Sequence, residues 1–268
     1  MTTPAPRRQP PPPHVVSAFG AKGADPEPMP AGFGWRCGDL VLKPVHDRAR
    51  ALWQARTMER IALPDVRVAR PVRSTDGRSI VGGWAACRFV SGTPQPRYDE
   101  LVLAAVKLHQ ATAHEPRPDF LDSRRDVYAI ADRMAWEELE PDLDERKGGG
   151  WFEVLAGARR PVNGQNQLVH GELFGRVLFD GDEPPGIVDF EPYFRPAEWG
   201  AAVATVDALA WGGADSQLLQ RWAHLPEWPQ LVLRATLFRL AIIALDPHFS
   251  PSSLDGLRLA AREVSALL

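Results

Sequence analysis

The sequence predicts an α+β fold with two lobes, a small antiparallel β-sheet followed by a mostly helical part. Three observations lead to this prediction. Short runs rich in apolar and β-branched residues, separated by glycine turns, occupy the first third of the chain. Helical periodicity dominates the remainder. One stretch with strand character, residues 167–191, interrupts the helical part.

The N-terminal elements follow from local pattern. Residues 39–45 form an apolar run that carries Lys43, which predicts a strand. Residues 47–61 place small and apolar side chains on one face, which predicts a helix. Asp76-Gly77 is typical of a hairpin turn. Further strands are predicted at residues 67–71, 79–81 and 84–90.

The C-terminal elements are helices. Asp99 can cap the first of them, which runs through Leu108. A helix through residues 201–211 is apolar nearly all round, so we expect it to be buried. The other helices are predicted at residues 124–138, 152–158, 215–223, 228–245 and 253–268.

Composition limits the class of protein. The 268 residues suit one large domain or a two-lobed one, and the net charge of −3 gives no argument for binding nucleic acid or membrane. Cys37 and Cys87 cannot make a disulfide framework, so we expect buried thiols in a reducing cytosol, with a single bridge as the alternative. The histidines show no paired ligand spacing, which disfavours zinc.

Targeting features are weak. The most apolar stretch, Leu240 to Leu245, is far shorter than the roughly 20 residues of a membrane helix. The two N-terminal arginines have no apolar segment behind them, so we expect a cytoplasmic protein. Residues 1–14 contain six prolines and predict a disordered tail, with a proline-rich docking ligand as the alternative.

The segment from Gln167 to Trp199 carries the residues most suited to chemistry. Residues 177–179 and 187–188 are apolar and flank a turn rich in Gly, Asp and Pro, which predicts a β-hairpin. The hairpin would bring Glu172 and Asp189 to the same end of one small sheet. Neighbouring carboxylates repel each other unless a cation lies between them. A metal ion bound with phosphate would supply that charge.

This arrangement resembles the catalytic segment of the aminoglycoside phosphotransferase and choline kinase group, a protein-kinase-like superfamily. There, a His-Gly-Asp loop is followed by Asn, a strand, a turn and a second strand ending in Ile-Asp-Phe. The resemblance implies a two-lobed protein-kinase-like fold, ATP and Mg²⁺ as cofactors, and a small molecule with a hydroxyl group as substrate. Other phrases, such as Val-Asp-Phe-Glu-Pro-Tyr-Phe-Arg-Pro, are similar to an actinobacterial subgroup without an assigned substrate.

The resemblance assigns roles to four residues. His170 matches the histidine of the loop, and Glu172 takes the place of the Asp that orients and deprotonates the acceptor hydroxyl. Asp189 matches the metal-binding Asp, while Arg176 stands where the Asn is expected. A guanidinium cannot bind magnesium. Arg176 would either neutralise phosphate directly or pair with Glu172 or Asp189 and block the metal site.

The resemblance also assigns nucleotide-binding residues to the N-terminal lobe. Gly32 and Gly34 lie in a glycine turn before the strand that carries Lys43, and such a turn and lysine clamp nucleotide phosphates. Phe89 and Val90 end a later strand whose backbone would meet adenine. The alternative is an ordinary turn with a surface lysine.

Three charged features leave their alternatives open. Glu59 would pair with Lys43 in a kinase-like lobe, or be a solvated residue at a helix end. Asp207, the one charge in the buried helix, needs a partner, and we expect it to brace His170 or a backbone amide. Acidic residues between Glu137 and Glu145 form a solvated face or attract a cationic substrate.

Two hypotheses of function follow. The first is an ATP-dependent phosphotransferase acting on a small hydroxyl compound, and the second is a catalytically inactive kinase-like module that binds nucleotide or another protein. The predicted organisation is a tail at 1–14, an N-lobe at 15–91 and a helical C-lobe at 92–268 that contains the hairpin at 167–191.

Overall fold

The computed structural model describes residues 9–30, 34–140, 142–248 and 251–268. These residues form two compact units. The first comprises the described residues up to Ala62 together with Arg67–Ser91, and the second comprises Leu63–Val66 and Gly92–Leu268. An antiparallel sheet dominates the first unit and helices dominate the second, which confirms the predicted α+β fold.

The first unit contains two helices and six short strands. In chain order the elements are α1 (Pro13–Ala18), β1 (Glu27–Pro28), β2 (Trp35–Cys37), β3 (Leu40–Pro44), α2 (Arg48–Arg60), β4 (Arg67–Val68), β5 (Pro71–Val72) and β6 (Trp84–Arg88). The antiparallel sheet of this unit has the strand order β1-β2-β3-β6-β5.

The core of this unit includes the first helix. Val15 and Val16 of α1 are buried against Leu42 of β3 and Ala86 of β6. Helix α1 begins at Pro13, inside the predicted proline-rich tail, and proline is well tolerated in the first turn of a helix. Residues 1–8 of that tail lie outside the described residues.

The second unit is mostly helical. In order the elements are α3 (Tyr98–Thr112), α4 (Val127–Ala135), α5 (Gly149–Ala156), β7 (Asn166–His170), β8 (Val177–Leu178), β9 (Gly186–Ile187), β10 (Pro192–Pro196), α6 (Trp199–Asp207), α7 (Gln217–Arg221), α8 (Trp228–Leu245) and α9 (Pro251–Ser265). Two antiparallel strand pairs, β7 with β10 and β8 with β9, lie between helices α5 and α6 in the chain.

The predicted hairpin is present, with Val177 opposite Ile187. Strand β10 was not predicted, because a proline at each end gives it little strand character. It pairs with β7 along its whole length, with Pro192 opposite His170 and Pro196 opposite Asn166. The pairing returns the chain to the loop that precedes Glu172.

Helix α8 forms the centre of the second unit and packs against α4, α5, α6 and α9. By length and composition it is the one helix among the described residues that could cross a membrane, but 83% of it is buried inside the protein. The apolar segment is therefore longer than the stretch from Leu240 to Leu245 that the sequence singled out. Two arginines, Arg234 and Arg239, are buried within it.

Candidate active site

The loop between β7 and β8 is fixed by two histidines. The backbone N–H of His170 donates to Nε2 of His109 on α3, at 3.0 Å. The N–H of Glu172 donates to Nδ1 of His170, at 3.1 Å. Burial lowers the pKa of His109 to about 4 and the pKa of His170 well below its usual value. Both rings are therefore neutral at pH 7, as their acceptor roles require.

Gly171 joins this loop to the segment that follows the hairpin. Its N–H donates to the carbonyl oxygen of Glu191 at 3.2 Å. A Cβ atom at this position would lie 2.5 Å from the Tyr193 ring, so only glycine fits. The predicted meeting of the two loops that carry Glu172 and Asp189 follows from this contact and from the β7–β10 pairing.

Asp189 follows β9 and adopts an unusual backbone conformation. Its φ angle is +54°, in the left-handed region that non-glycine residues seldom occupy. The residue before it, Val188, donates its N–H to the carbonyl of Arg176 at 3.0 Å. Strained residues of this kind concentrate at functional sites, where the surrounding structure holds them.

The carboxylate of Glu172 is bound by an arginine on α8. Nη1 of Arg239 lies 2.6 Å from Oε1 of Glu172, and the Glu172 side chain is only 15% exposed. The same guanidinium donates Nε to Oδ1 of Asp207 at 2.6 Å and Nη2 to Oδ2 of Asp207. Nη2 also lies 3.5 Å from the carbonyl of Gly171. We call Asp207, Arg239 and Glu172 the loop network.

The partner of Asp207 differs from the one predicted. Instead of His170 or a backbone amide, it binds Arg239. Asp207 therefore braces the loop through an intervening guanidinium. Burial raises the pKa of Asp207 to about 6, and the attraction of Arg239 opposes that rise.

Arg176 turns back onto the loop. Its Nη1 donates to the backbone carbonyl of Glu172 at 3.3 Å. The structure therefore places the guanidinium beside the loop that carries Glu172, while the carboxylate of Glu172 is bound by Arg239.

No group of three or more His, Cys, Asp or Glu side chains within the described ranges could by itself hold a metal ion. Magnesium does not require such a group, because it commonly binds one or two carboxylates together with substrate phosphates. Asp189 fits that pattern, since it provides one carboxylate on the loop that meets the Glu172 loop.

In the first unit the structure brings Gly34 and Lys43 together. Gly34 has a φ of +115°, and a Cβ atom there would lie 2.5 Å from the carbonyl of Leu42 and 2.9 Å from Cγ of Lys43. Lys43 lies on β3, opposite Ala85 of β6. Glycine at position 34 therefore allows close approach to the strand that carries the lysine.

The other predicted nucleotide residues have mixed outcomes. Gly32 lies outside the described residues. The N–H of Phe89 already donates to the carbonyl of Asp39 at 2.9 Å, and its ring lies 4.0 Å from the guanidinium of Arg36. Val90 is buried.

Glu59 forms a two-oxygen ion pair with Arg73. Of the two alternatives, pairing with Lys43 or a solvated residue at a helix end, the structure shows neither in full, because Arg73 on the segment after β5 reaches Glu59 at the end of helix α2.

Sequence reasoning missed Arg239. The available indication was the presence of arginines within a largely apolar helix, since a buried charge requires an opposite charge nearby. The same argument was applied to Asp207. Pairing the lone acid of α6 with an arginine of α8 would have found the network.

Comparison with known proteins identifies the family of this chain. The profile of the family described as "Phosphotransferase enzyme family" matches residues 34–194. None of the curated proteins compared by sequence matches the chain.

Solved structures share the fold. AMP-bound spectinomycin phosphotransferase APH(9)-Ia matches with a TM-score of 0.63 and 12% identity, over 94% of this chain and 96% of that one. A microcompartment-associated aminopropanol kinase matches with a TM-score of 0.54 and 15% identity, over 94% and 95% of the two chains. Aminoglycoside phosphotransferase APH(4)-Ia, in complex with ADP and hygromycin B, matches with a TM-score of 0.54 and 14% identity, over 95% and 96%. At these identities the likeness establishes the fold, and the profile match, which spans more than half of the sequence, shows that the chain belongs to the phosphotransferase enzyme family.

Proposed function

We propose that this protein is an ATP-dependent phosphotransferase that transfers the γ-phosphate to a hydroxyl group of a small molecule. One observation carries the proposal. The bond from Gly171 N–H to the Glu191 carbonyl ties the Glu172 loop to the Asp189 loop. An acceptor-orienting carboxylate and a metal-binding carboxylate at one place are what phosphoryl transfer requires. The cytoplasm, which supplies MgATP, is the compartment that this activity needs.

Glu172 is suited to orient the acceptor hydroxyl. Its Oε1 atom is held by Arg239, and no described residue binds its Oε2 atom. Oε2 can therefore accept the hydrogen bond of an incoming hydroxyl while Arg239 fixes the direction of the carboxylate. The hydroxyl oxygen would form a bond to the γ-phosphorus of ATP, and the bond between the γ-phosphorus and the bridging oxygen of the β-phosphate would break, so that ADP leaves. The hydroxyl proton would pass to Glu172.

The remaining roles concern charge. Lys43 would bind nucleotide phosphates, and Asp189 would hold magnesium together with phosphate oxygens, where the ion would neutralise charge on the transferred group. Arg176 would stabilise charge that develops on that group, a role for which its fixed guanidinium is suited. Glycine at position 34 supports this reading, because it leaves room beside Lys43.

The test is calorimetric titration of ATP with and without magnesium, followed by turnover with candidate acceptors. We expect magnesium-dependent binding, and we expect Glu172→Gln to abolish turnover while ATP binding persists. Glu183→Gln, an exposed glutamate in the hairpin turn, is the matched control and should retain turnover. Equal turnover in Glu172→Gln would reject the role of Glu172.

A second function has one observation in its favour. Arg176, which stands where the resemblance places a metal-binding Asn, contacts the Glu172 loop. If it blocks the metal site, the protein is an inactive nucleotide-binding or protein-interaction module. Arg176→Asn should then gain magnesium-dependent ATP binding that the wild type lacks. No gain would count against this alternative.

A further inference from the structure

The second unit contains a pocket of about 380 Å³ lined by helix α4, the segment before it and strand β10. We call it the arginine pocket. Five arginines line it, at positions 117, 124, 125, 133 and 195. Three carboxylates, those of Asp122, Asp132 and Glu138, also contribute to the lining.

Three of the five arginines are neutralised by carboxylates. Arg117 lies 2.7 Å from Asp122. Arg195 pairs with Asp132 and Glu138. Arg124 pairs with two acids at the edge of the pocket, Asp126 at 2.9 Å and Glu191 at 3.3 Å.

The charges of the other two pocket arginines are not neutralised by a carboxylate of the described residues. Within the described part of the chain, neither Arg125 nor Arg133 forms an ion pair with a carboxylate. Nη1 of Arg125 donates to the backbone carbonyls of Asp122 and Arg124, at 2.8 and 2.7 Å. These carbonyls orient the guanidinium but do not neutralise it. The pocket therefore has cationic groups that can bind an anion.

A buried hydroxyl at the same pocket lacks a partner. Tyr193 lines the pocket and is only 2% exposed. Its hydroxyl has no hydrogen-bond partner among the described residues. An unsatisfied buried hydroxyl is costly, and such a group requires an explanation. The oxygen atoms of a bound anion would accept its hydrogen bond.

The pocket also shares its walls with the candidate active site. The Tyr193 ring lies directly against Gly171, the residue before Glu172. Arg124 binds the carboxylate of Glu191, two residues beyond Asp189. An anion bound here would therefore lie next to both loops.

We infer that the arginine pocket binds an anionic group, a phosphate or a carboxylate, of the acceptor molecule. This inference rests on the proposed function. It names an acceptor class opposite in charge to the cationic one that the acidic residues near Glu138 suggested. In the structure Glu138 forms an ion pair with Arg195, so its charge is neutralised by an arginine of the protein and does not need a cationic substrate.

The first experiment measures inorganic phosphate binding to the full chain without nucleotide, by phosphorus NMR. Arg125→Gln/Arg133→Gln should weaken binding at least about tenfold, since each charge-assisted hydrogen bond contributes about 1.5–3 kcal/mol. Arg48→Gln/Arg146→Gln removes the same charge from exposed positions and should change affinity less than about twofold. Tyr193→Phe, which preserves the ring packing, should weaken binding several-fold.

Lys43→Ala separates this pocket from the predicted nucleotide site. Phosphate binding that survives Lys43→Ala and is lost in Arg125→Gln/Arg133→Gln supports the inference. Binding that is lost only in Lys43→Ala, or no binding by the wild type, overturns it. None of these outcomes depends on ATP turnover, so failure of the proposed function would be seen separately, in the ATP titration.

A second experiment asks whether the anion belongs to the acceptor. Glycerol 3-phosphate carries both a phosphate and hydroxyl groups. We expect it to bind more tightly than inorganic phosphate, with the advantage lost in Glu172→Gln. Equal affinity for the two probes, unchanged in Glu172→Gln, would show a site for free anions and overturn the assignment to the acceptor.

Discussion

Two buried arginines of the helical unit make the same contacts in different surroundings. Arg239 donates Nε and Nη2 to a buried aspartate and Nη1 to a glutamate. Arg195 does the same, with Nε 3.0 Å and Nη2 2.7 Å from Asp132 and Nη1 2.5 Å from Glu138. We call Asp132, Arg195 and Glu138 the pocket network, to compare with the loop network.

The two networks differ in exposure and in what they hold. The side chains of Glu138 and Asp132 are 48% and 12% exposed, so solvent reaches the pocket network at Glu138. The corresponding acids of the loop network, Glu172 and Asp207, are 15% and 2% exposed. The pocket network joins α4 to β10, whereas the loop network joins two helices to the loop that bears the candidate catalytic carboxylate.

The difference shows why burial of an ion pair is an argument about orientation more than about stability. Removing two charges from water costs about as much as their attraction returns, so apolar residues could hold α6 against α8 equally well. An apolar pair could not direct the carboxylate of Glu172. We expect the loop network to matter for turnover and the pocket network to matter for the shape of the pocket.

The largest expected effect tests the buried charge itself. Arg239→Met leaves the carboxylate of Asp207 buried without its donor, and this should lower the free energy of unfolding by about 3–5 kcal/mol. Arg195→Met should cost only about 2 kcal/mol, because one of the two acids that it leaves behind, Glu138, is half exposed. Urea unfolding at pH 7 measures both losses. Equal losses would show that exposure does not separate the two networks.

A double variant identifies the cause of the loss. Asp207→Leu/Arg239→Met replaces both charges with apolar groups, and we expect it to recover most of the stability. If it is as unstable as Arg239→Met alone, the loss comes from the contacts that the double variant does not replace, those of the guanidinium with Glu172 and with the ring of Phe238.

Local patterns predicted the fold well, and nonlocal pairings less well. The α+β class and the hairpin were predictable because strand and helix periodicities are local. Strand β10 was not, because its strand character comes from its pairing with β7, more than twenty residues earlier in the chain. Residues Val15 to Phe19 could be predicted only as a short helical or extended segment, and for a similar reason helix α1 was not fixed, since Val15 and Val16 gain burial only from a sheet formed later in the chain.

In the candidate site, too, the features that depend on local sequence could be predicted and the contacts with distant residues could not. The positions of Glu172 and Asp189 at neighbouring loops followed from the hairpin and from the family resemblance. Their partners did not, because the side chains that hold the loop come from distant helices. Arg239 lies 67 residues after Glu172, and His109 lies 61 residues before His170.

The second-largest expected effect is the pH dependence of stability that comes from His109, the histidine that supports the loop. His109 accepts a hydrogen bond from the loop only when it is neutral, and burial lowers its pKa from 6.5 to about 4. Below pH 6.5 the unfolded chain gains a proton that the folded protein does not, so stability falls as the pH falls. Between pH 6.5 and 5 this contribution falls by about 2 kcal/mol.

His109→Gln is the matched comparison, because glutamine offers an acceptor that does not titrate. We expect the wild type to lose about 2 kcal/mol more than His109→Gln over that interval in urea unfolding. Arg48→Gln, which removes a non-titrating charge from an exposed position, should show the same pH dependence as the wild type, since it leaves His109 in place. Identical profiles for the wild type and His109→Gln would mean that the loop does not rest on a neutral histidine.

The smallest expected effect separates the two glutamates. Glu138→Gln should lower the free energy of unfolding by less than about 1 kcal/mol, because its side chain is half exposed and Arg195 keeps both contacts with Asp132. Glu172→Gln should cost more, about 1.5–3 kcal/mol, because it replaces a charged acceptor at a buried guanidinium. Urea unfolding of the two variants under one condition gives the comparison. A Glu138→Gln loss as large as that of Glu172→Gln would mean that Glu138 stabilises the protein through its contact with Arg195 despite its exposure, and that the pocket network is as tightly coupled as the loop network.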